Sequence, residues 1–130
     1  MKPLFAIPAL ALLAACAHYQ DAPIVDNGPP APGGLVPLGQ PVQVGKLVAT
    51  PMKVVSDSRC PENARCVWAG ELVVTTRIDG AGWRETEDLK LGESHATHGT
   101  TITLVSGLPE KQSAGETPAD SYRFAYEGGE

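Results

Sequence analysis

The chain has 130 residues, 42% of them hydrophobic and only 5% aromatic, with 14 glycines, 12 prolines and 3 cysteines. That length fits one compact domain. Fifteen acidic side chains against ten basic ones give a formal charge of −5. Such a balance repels a phosphate backbone, so nucleic acid is excluded as the expected partner.

The chain opens with one positive residue, Lys2, and continues from Leu4 to Ala15 as an apolar run broken only by Pro8. A run of about 12 residues is too short to cross a bilayer core of roughly 30 Å, but it suits the apolar region of a signal peptide. It ends in Leu13-Ala14-Ala15-Cys16, which resembles the bacterial lipobox. The resemblance implies a lipoprotein signal peptide over 1–15 and a lipidated Cys16 as the first mature residue. Fatty acyl chains such as palmitate contribute about 0.8 kcal/mol per buried CH₂, enough together for a stable anchor. Ala17, where an inner-membrane lipoprotein tends to carry Asp, points to the outer membrane, with the body facing the periplasm. Removal of residues 1–15 takes away Lys2, leaving 9 basic against 15 acidic side chains and a net charge of −6.

Residues 16–34 are expected to form the lipidated cysteine and a tether. Seven of the thirteen residues from Ala22 to Gly34 are Pro or Gly, too many breakers to propagate a helix or a strand. The folded body is expected over 35–130. Gln40–Gly45 alternates, with Val42 and Val44 on one face. Lys46–Val55 reads as a strand interrupted at Pro51, hence an edge or a bend. Val67–Ile78 gives the strongest strand signal, with Leu72, Val74, Thr76 and Ile78 on one side and Val73, Thr75 and Arg77 on the other.

Asp79-Gly80-Ala81-Gly82 then marks a hairpin turn. The returning strand runs from Trp83 to about Leu91 and is expected to send Arg84, Glu85, Glu87, Asp88 and Lys90 toward solvent. Thr100–Ser106 places Ile102 and Leu104 inward, residues 109–120 read as a loop, and Tyr122–Tyr126 forms a last strand. About seven short strands and no helical period predict an all-β fold, a small antiparallel sandwich or barrel.

The densest chemistry lies in Asp57-Ser58-Arg59-Cys60-Pro61-Glu62-Asn63-Ala64-Arg65-Cys66-Val67-Trp68. In an oxidising envelope, the pair Cys60 and Cys66 is most simply a disulfide. Trp68 stands two residues after Cys66 and is expected to cover the bridge. Five intervening residues do not make a redox Cys-x-x-Cys pair, and two cysteines alone do not complete a metal site. Two readings stand: a stapled scaffold loop, or a rigid charged recognition loop presenting Asp57, Arg59, Glu62, Arg65 and Trp68. D-S-R-C-P-x4-C-V-W-A-G-E resembles a signature of small bacterial envelope lipoproteins of unassigned activity. The similarity extends to Val54-Val55, Gly82–Thr86, Leu89–Gly92 and Tyr122–Phe124. It implies an envelope lipoprotein with a β domain and no particular chemistry.

His95 and His98, three apart between Gly92 and Gly99 with Glu93 nearby, are the candidate ligands for Zn²⁺ or Cu²⁺. Met52 beside Pro51 reads as core filler rather than a copper ligand. Gly92-Glu93-Ser94-His95-Ala96 begins like a nucleophile elbow but ends in Ala and lacks a following helix. Glu85, Glu87 and Asp88 read as a solvated acidic face. The expectation is therefore a membrane-anchored, non-catalytic envelope lipoprotein without a cofactor, binding or bracing an envelope protein. The alternative is a periplasmic metal-binding module built on His95 and His98.

Overall fold

The computed structural model describes Pro3, residues 22–112 and residues 115–130. The expected signal peptide, Cys16, Ala17 and His18 lie outside those residues. Seven strands follow one another: β1 (Val42–Val44), β2 (Leu47–Asp57), β3 (Leu72–Gly80), β4 (Trp83–Lys90), β5 (Ser94–Thr97), β6 (Thr100–Leu108) and β7 (Arg123–Gly128). They form two antiparallel sheets, ordered β1-β2-β3-β4 and β5-β6-β7. The all-β expectation holds, as a sandwich of four strands and three.

The alternation read along β3 is the one that builds the core. Leu72, Val74, Thr76 and Ile78 are fully buried, and Ile102, Leu104 and Phe124 of the other sheet are buried equally. Side chains of this size each contribute about 1.5–3 kcal/mol when fully removed from water. One polar couple crosses the core, where the Thr76 and Tyr126 hydroxyls lie 2.9 Å apart. Burial pushes the Tyr126 phenol well above its ordinary range, so it stays a neutral partner.

β2 is longer than the strand it pairs with, and two bulges absorb the excess. The register steps from Pro51↔Thr76 to Lys53↔Thr75 and from Val54↔Val74 to Ser56↔Val73, leaving Met52 and Val55 unmatched and exposed. Each bulge reverses the in–out alternation. Two reversals restore it, so Asp57 stands opposite the buried Leu72, on the inner face at the end of the sandwich. Pro51 fits within β2 because the β1 register ends at Ala49, and β2 has no strand neighbour on that side beyond it.

Three other stretches differ from expectation. β3 begins at Leu72, not Val67, and β7 begins at Arg123 rather than Tyr122. A strand of four residues, β5, occupies the segment read as a histidine turn, pairing His95 with Ile102. The part of the spacer that is described touches the body. Pro23 bridges Ala81, Ala31 bridges Val42, and Arg84 holds the Asp26 carboxylate and the Ile24 carbonyl. Proline-rich chain cannot build a ladder of its own, yet in extended form it accepts single bridges of this kind.

Candidate functional site

The cysteine segment closes the β2–β3 hairpin. Backbone bonds from Ser58 N to Glu71 O (2.8 Å) and from Cys60 N to Ala69 O (3.1 Å) carry the ladder past the strands, leaving 61–68 as the loop proper. The Cys60–Cys66 disulfide closes it, with the two Cα atoms 5.8 Å apart. By chain entropy a loop of this size gains about 2.4 kcal/mol from its bridge. Gly70, at φ +67°, is required here. A Cβ would sit 1.7 Å from the Ser58 carbonyl oxygen, and the left-handed backbone disfavours any other residue.

Asp57 and Arg59, expected on a recognition surface, instead form the clamp that holds the loop to the sandwich. Arg59 meets Asp57 through two parallel bonds, Nε to Oδ1 at 2.8 Å and Nη2 to Oδ2 at 3.0 Å. Its guanidinium also donates to the carbonyls of Gly107 and Pro109, at 2.7 and 3.1 Å. The Tyr122 hydroxyl donates to Asp57 at 2.8 Å. These bonds join β2 of one sheet to the ends of β6 and β7 in the other. Burial alone would raise the Asp57 carboxyl, but the bonds from Arg59 and Tyr122 outweigh it and hold the carboxyl below its usual value. Tyr122 moves up, through burial and then through its bond to Asp57. Asp57 is 5% exposed and Arg59 12%, a placement set by the parity of the two bulges, which no short-range signal reveals.

The rest of the predicted surface set faces outward. Glu62 accepts a bond from the Gln112 amide and its N–H donates to the Lys111 carbonyl, while Arg65 is exposed. Trp68 is 82% exposed and Val67 92%. Trp68 therefore does not shelter the disulfide. The strand alternation that placed it over Cys66 does not apply, because the chain bends at Val67 and Trp68 and the ladder resumes only at Ala69. Sequence reasoning missed Val67 for the same reason, having put it inside a strand. An open groove of about 440 Å³ adjoins the clamp, bordered by Lys53, Asp57, Lys111, Thr117 and Tyr122.

The second polar concentration lies where the chain changes sheets. Leu91 N bonds Leu72 O in the first sheet, and Gly92 N bonds Leu104 O in the second, both at 2.9 Å. The edge strands β4 and β5 flank this crossing. β4 pairs Ile78 with Glu85 and Thr76 with Glu87, so both carboxylates share the inner face with Leu89. The expected solvated face holds for Asp88 and, at the sheet edge, for Glu87, which stays exposed, whereas Glu85 is half-buried. Arg84 turns to the fully buried Asp79, which Arg77 also reaches, and Lys90 turns to Glu71 and Glu93.

From β5, His95 Nε2 approaches Glu85 Oε1 at 3.3 Å, and the buried Thr97 hydroxyl donates to the same oxygen. Ligand atoms of Glu85, Glu87 and His95 all lie within 4.8 Å of one another. His98 is engaged elsewhere. Its ring stacks on Trp83 at a centroid distance of 3.8 Å, and its Nδ1 lies 3.0 Å from Thr97 Oγ1. The structure therefore joins His95 to two glutamates, not to the second histidine. The period-2 pattern of β4 carried a signal for this, since 85 and 87 share the parity of the buried Leu89.

Among the described residues no helix is long and apolar enough to cross a membrane. No protein-family model matches the chain, and no curated protein or solved structure matches it.

Proposed function

We propose that this chain is a lipid-anchored protein of the bacterial cell envelope, held through acyl chains on Cys16 at the outer membrane and facing the periplasm. It acts without catalysis, as a binding module whose contact element is the stapled β2–β3 loop. The observation that carries the reading is the 82% exposure of Trp68 on a loop fastened in three ways. An exposed tryptophan beside an exposed valine is costly in water, and aromatic anchors of this kind dominate binding energy at protein interfaces. The disulfide, Gly70 and the Asp57–Arg59 clamp order the loop in advance, so an occupant has less conformational entropy to remove. Lipobox, spacer and the likeness of the D-S-R-C-P-x4-C-V-W-A-G-E segment to envelope lipoproteins support the location.

A photoreactive amino acid in place of Trp68 tests the reading in living cells. A discrete crosslinked envelope protein is expected, absent when the same label replaces the exposed Val105 on β6. Crosslinks that are absent at 68, or equal at the two positions, would overturn it.

A further inference from the structure

We propose that Glu85, Glu87 and His95 form a binding site for a divalent transition-metal ion that ties the two sheets together at the β4–β5 seam. The three ligand atoms lie within 4.8 Å of one another. Bonds of about 2.0–2.2 Å to a first-row ion put neighbouring ligand atoms roughly 3–3.5 Å apart. A closing movement of up to about 1.3–1.8 Å suffices, and the exposed Glu87 side chain has room for it.

The set is held on strands, not on a mobile loop. Glu85 and Glu87 belong to the edge of one sheet and His95 to the edge of the other. The Thr97 hydroxyl, buried within β5, donates to Glu85 and orients that carboxylate from behind, as second-layer partners do at metal sites.

Charge supplies the second argument. Glu85 and Glu87 occupy inner-face positions opposite the fully buried Ile78 and Thr76, where the strand pattern calls for apolar side chains. The cations of the neighbourhood are committed away from them: Arg77 and Arg84 to Asp79, Lys90 to Glu71 and Glu93. Among the described residues Glu87 has no basic partner, and Glu85 has only the His95 imidazole. A divalent cation neutralises the carboxylate pair. One imidazole with two carboxylates is a borderline-to-hard donor set, suited to Zn²⁺ or Mn²⁺ and poorly suited to Cu⁺. Three protein ligands leave at least one position for water.

Zn²⁺ is the probe ion. The full chain, purified in mild detergent with its disulfide intact, is titrated with ZnCl₂ by calorimetry and melted with and without the ion. One ion per chain is expected, with a melting temperature raised by at least about 5 °C at saturation. Glu87→Gln and His95→Ala should each weaken binding tenfold or more and abolish the thermal shift, whereas His98→Ala should change neither. Because Glu87 is exposed, its variant folds and keeps the test decisive. The proposal falls if the protein retains no ion or if both variants bind as the parent does, the mark of an adventitious ion only. It falls also if His98→Ala is as damaging as His95→Ala, which would return the site to a two-histidine pair.

Discussion

At the end of the sandwich that carries the cysteine loop, Asp57 is 5% exposed, and its carboxylate is answered by the Arg59 guanidinium and the Tyr122 hydroxyl. At the β4–β5 seam, Glu87 is exposed and meets no base among the described residues. Both are acidic side chains on the inner face of the same sheet. In the first region polar groups satisfy one another and hold two exposed apolar residues in place. In the second, the polar groups are gathered and left short of positive charge. A closed network of the first kind is scaffold, and an unbalanced one of the second kind is a place for a ligand.

That contrast is most easily broken at Asp57. Asp57→Ala leaves the Arg59 guanidinium largely buried without its carboxylate, a change that costs about 3–5 kcal/mol. For a domain of this size, the melting temperature should then fall by more than about 10 °C. Calorimetric melting of the variant checks this, and a loss under 1 kcal/mol would show that the clamp is ornamental. Next in size is the disulfide. Replacing Cys60 and Cys66 together by Ala should cost about 2 kcal/mol, measured by urea unfolding, while leaving the β2–β3 ladder intact.

Acid unfolding sharpens the comparison without removing any contact by size. Arg59 and Tyr122 hold the Asp57 carboxyl below its ordinary value despite its burial, so the folded pKa lies under the unfolded one. The stability this adds is fully present above the ordinary value of about 3.9 and is lost as pH falls through the lowered folded value. The parent should therefore lose stability more steeply than Asp57→Asn below about pH 4. Equal slopes would show that the carboxyl titrates alike in both states.

The sequence made much of this legible where a strict alternation met full burial. β3 shows Leu72, Val74, Thr76 and Ile78 inward as read, and β6 does the same with Ile102 and Leu104. The disulfide followed from reading Cys60 and Cys66 as an even pair. What escaped were features created by an extra residue or by a neighbour distant in the chain. Two bulges in β2 decide that Asp57 faces inward, and they depend on pairing with β3, not on β2 itself. Arg59 finds its partners about fifty residues away, at Gly107 and Pro109. β5 was missed because four residues between two glycines carry little signal until β6 offers an edge. His95 and His98 looked like a pair only because spacing along a chain says nothing of side once the strand ends at Thr97.

The smallest stability effects separate scaffold from contact most cleanly. Trp68→Ala removes a side chain that is mostly in water, so the melting curve should move by no more than about 0.5 kcal/mol, as for an ordinary surface change. The same substitution should reduce in-cell crosslinking from a label placed at Val67. Glu87→Gln should be equally silent in metal-free buffer, and slightly stabilising where it relieves repulsion from Glu85. The parent alone should then gain from added Zn²⁺, so the difference between the two proteins appears only with the ion present. A large loss for either variant without any ligand would place Trp68 or Glu87 in the scaffold beside Asp57. Silence in both, joined to a loss of crosslinking in one and of metal response in the other, assigns each region its separate occupant.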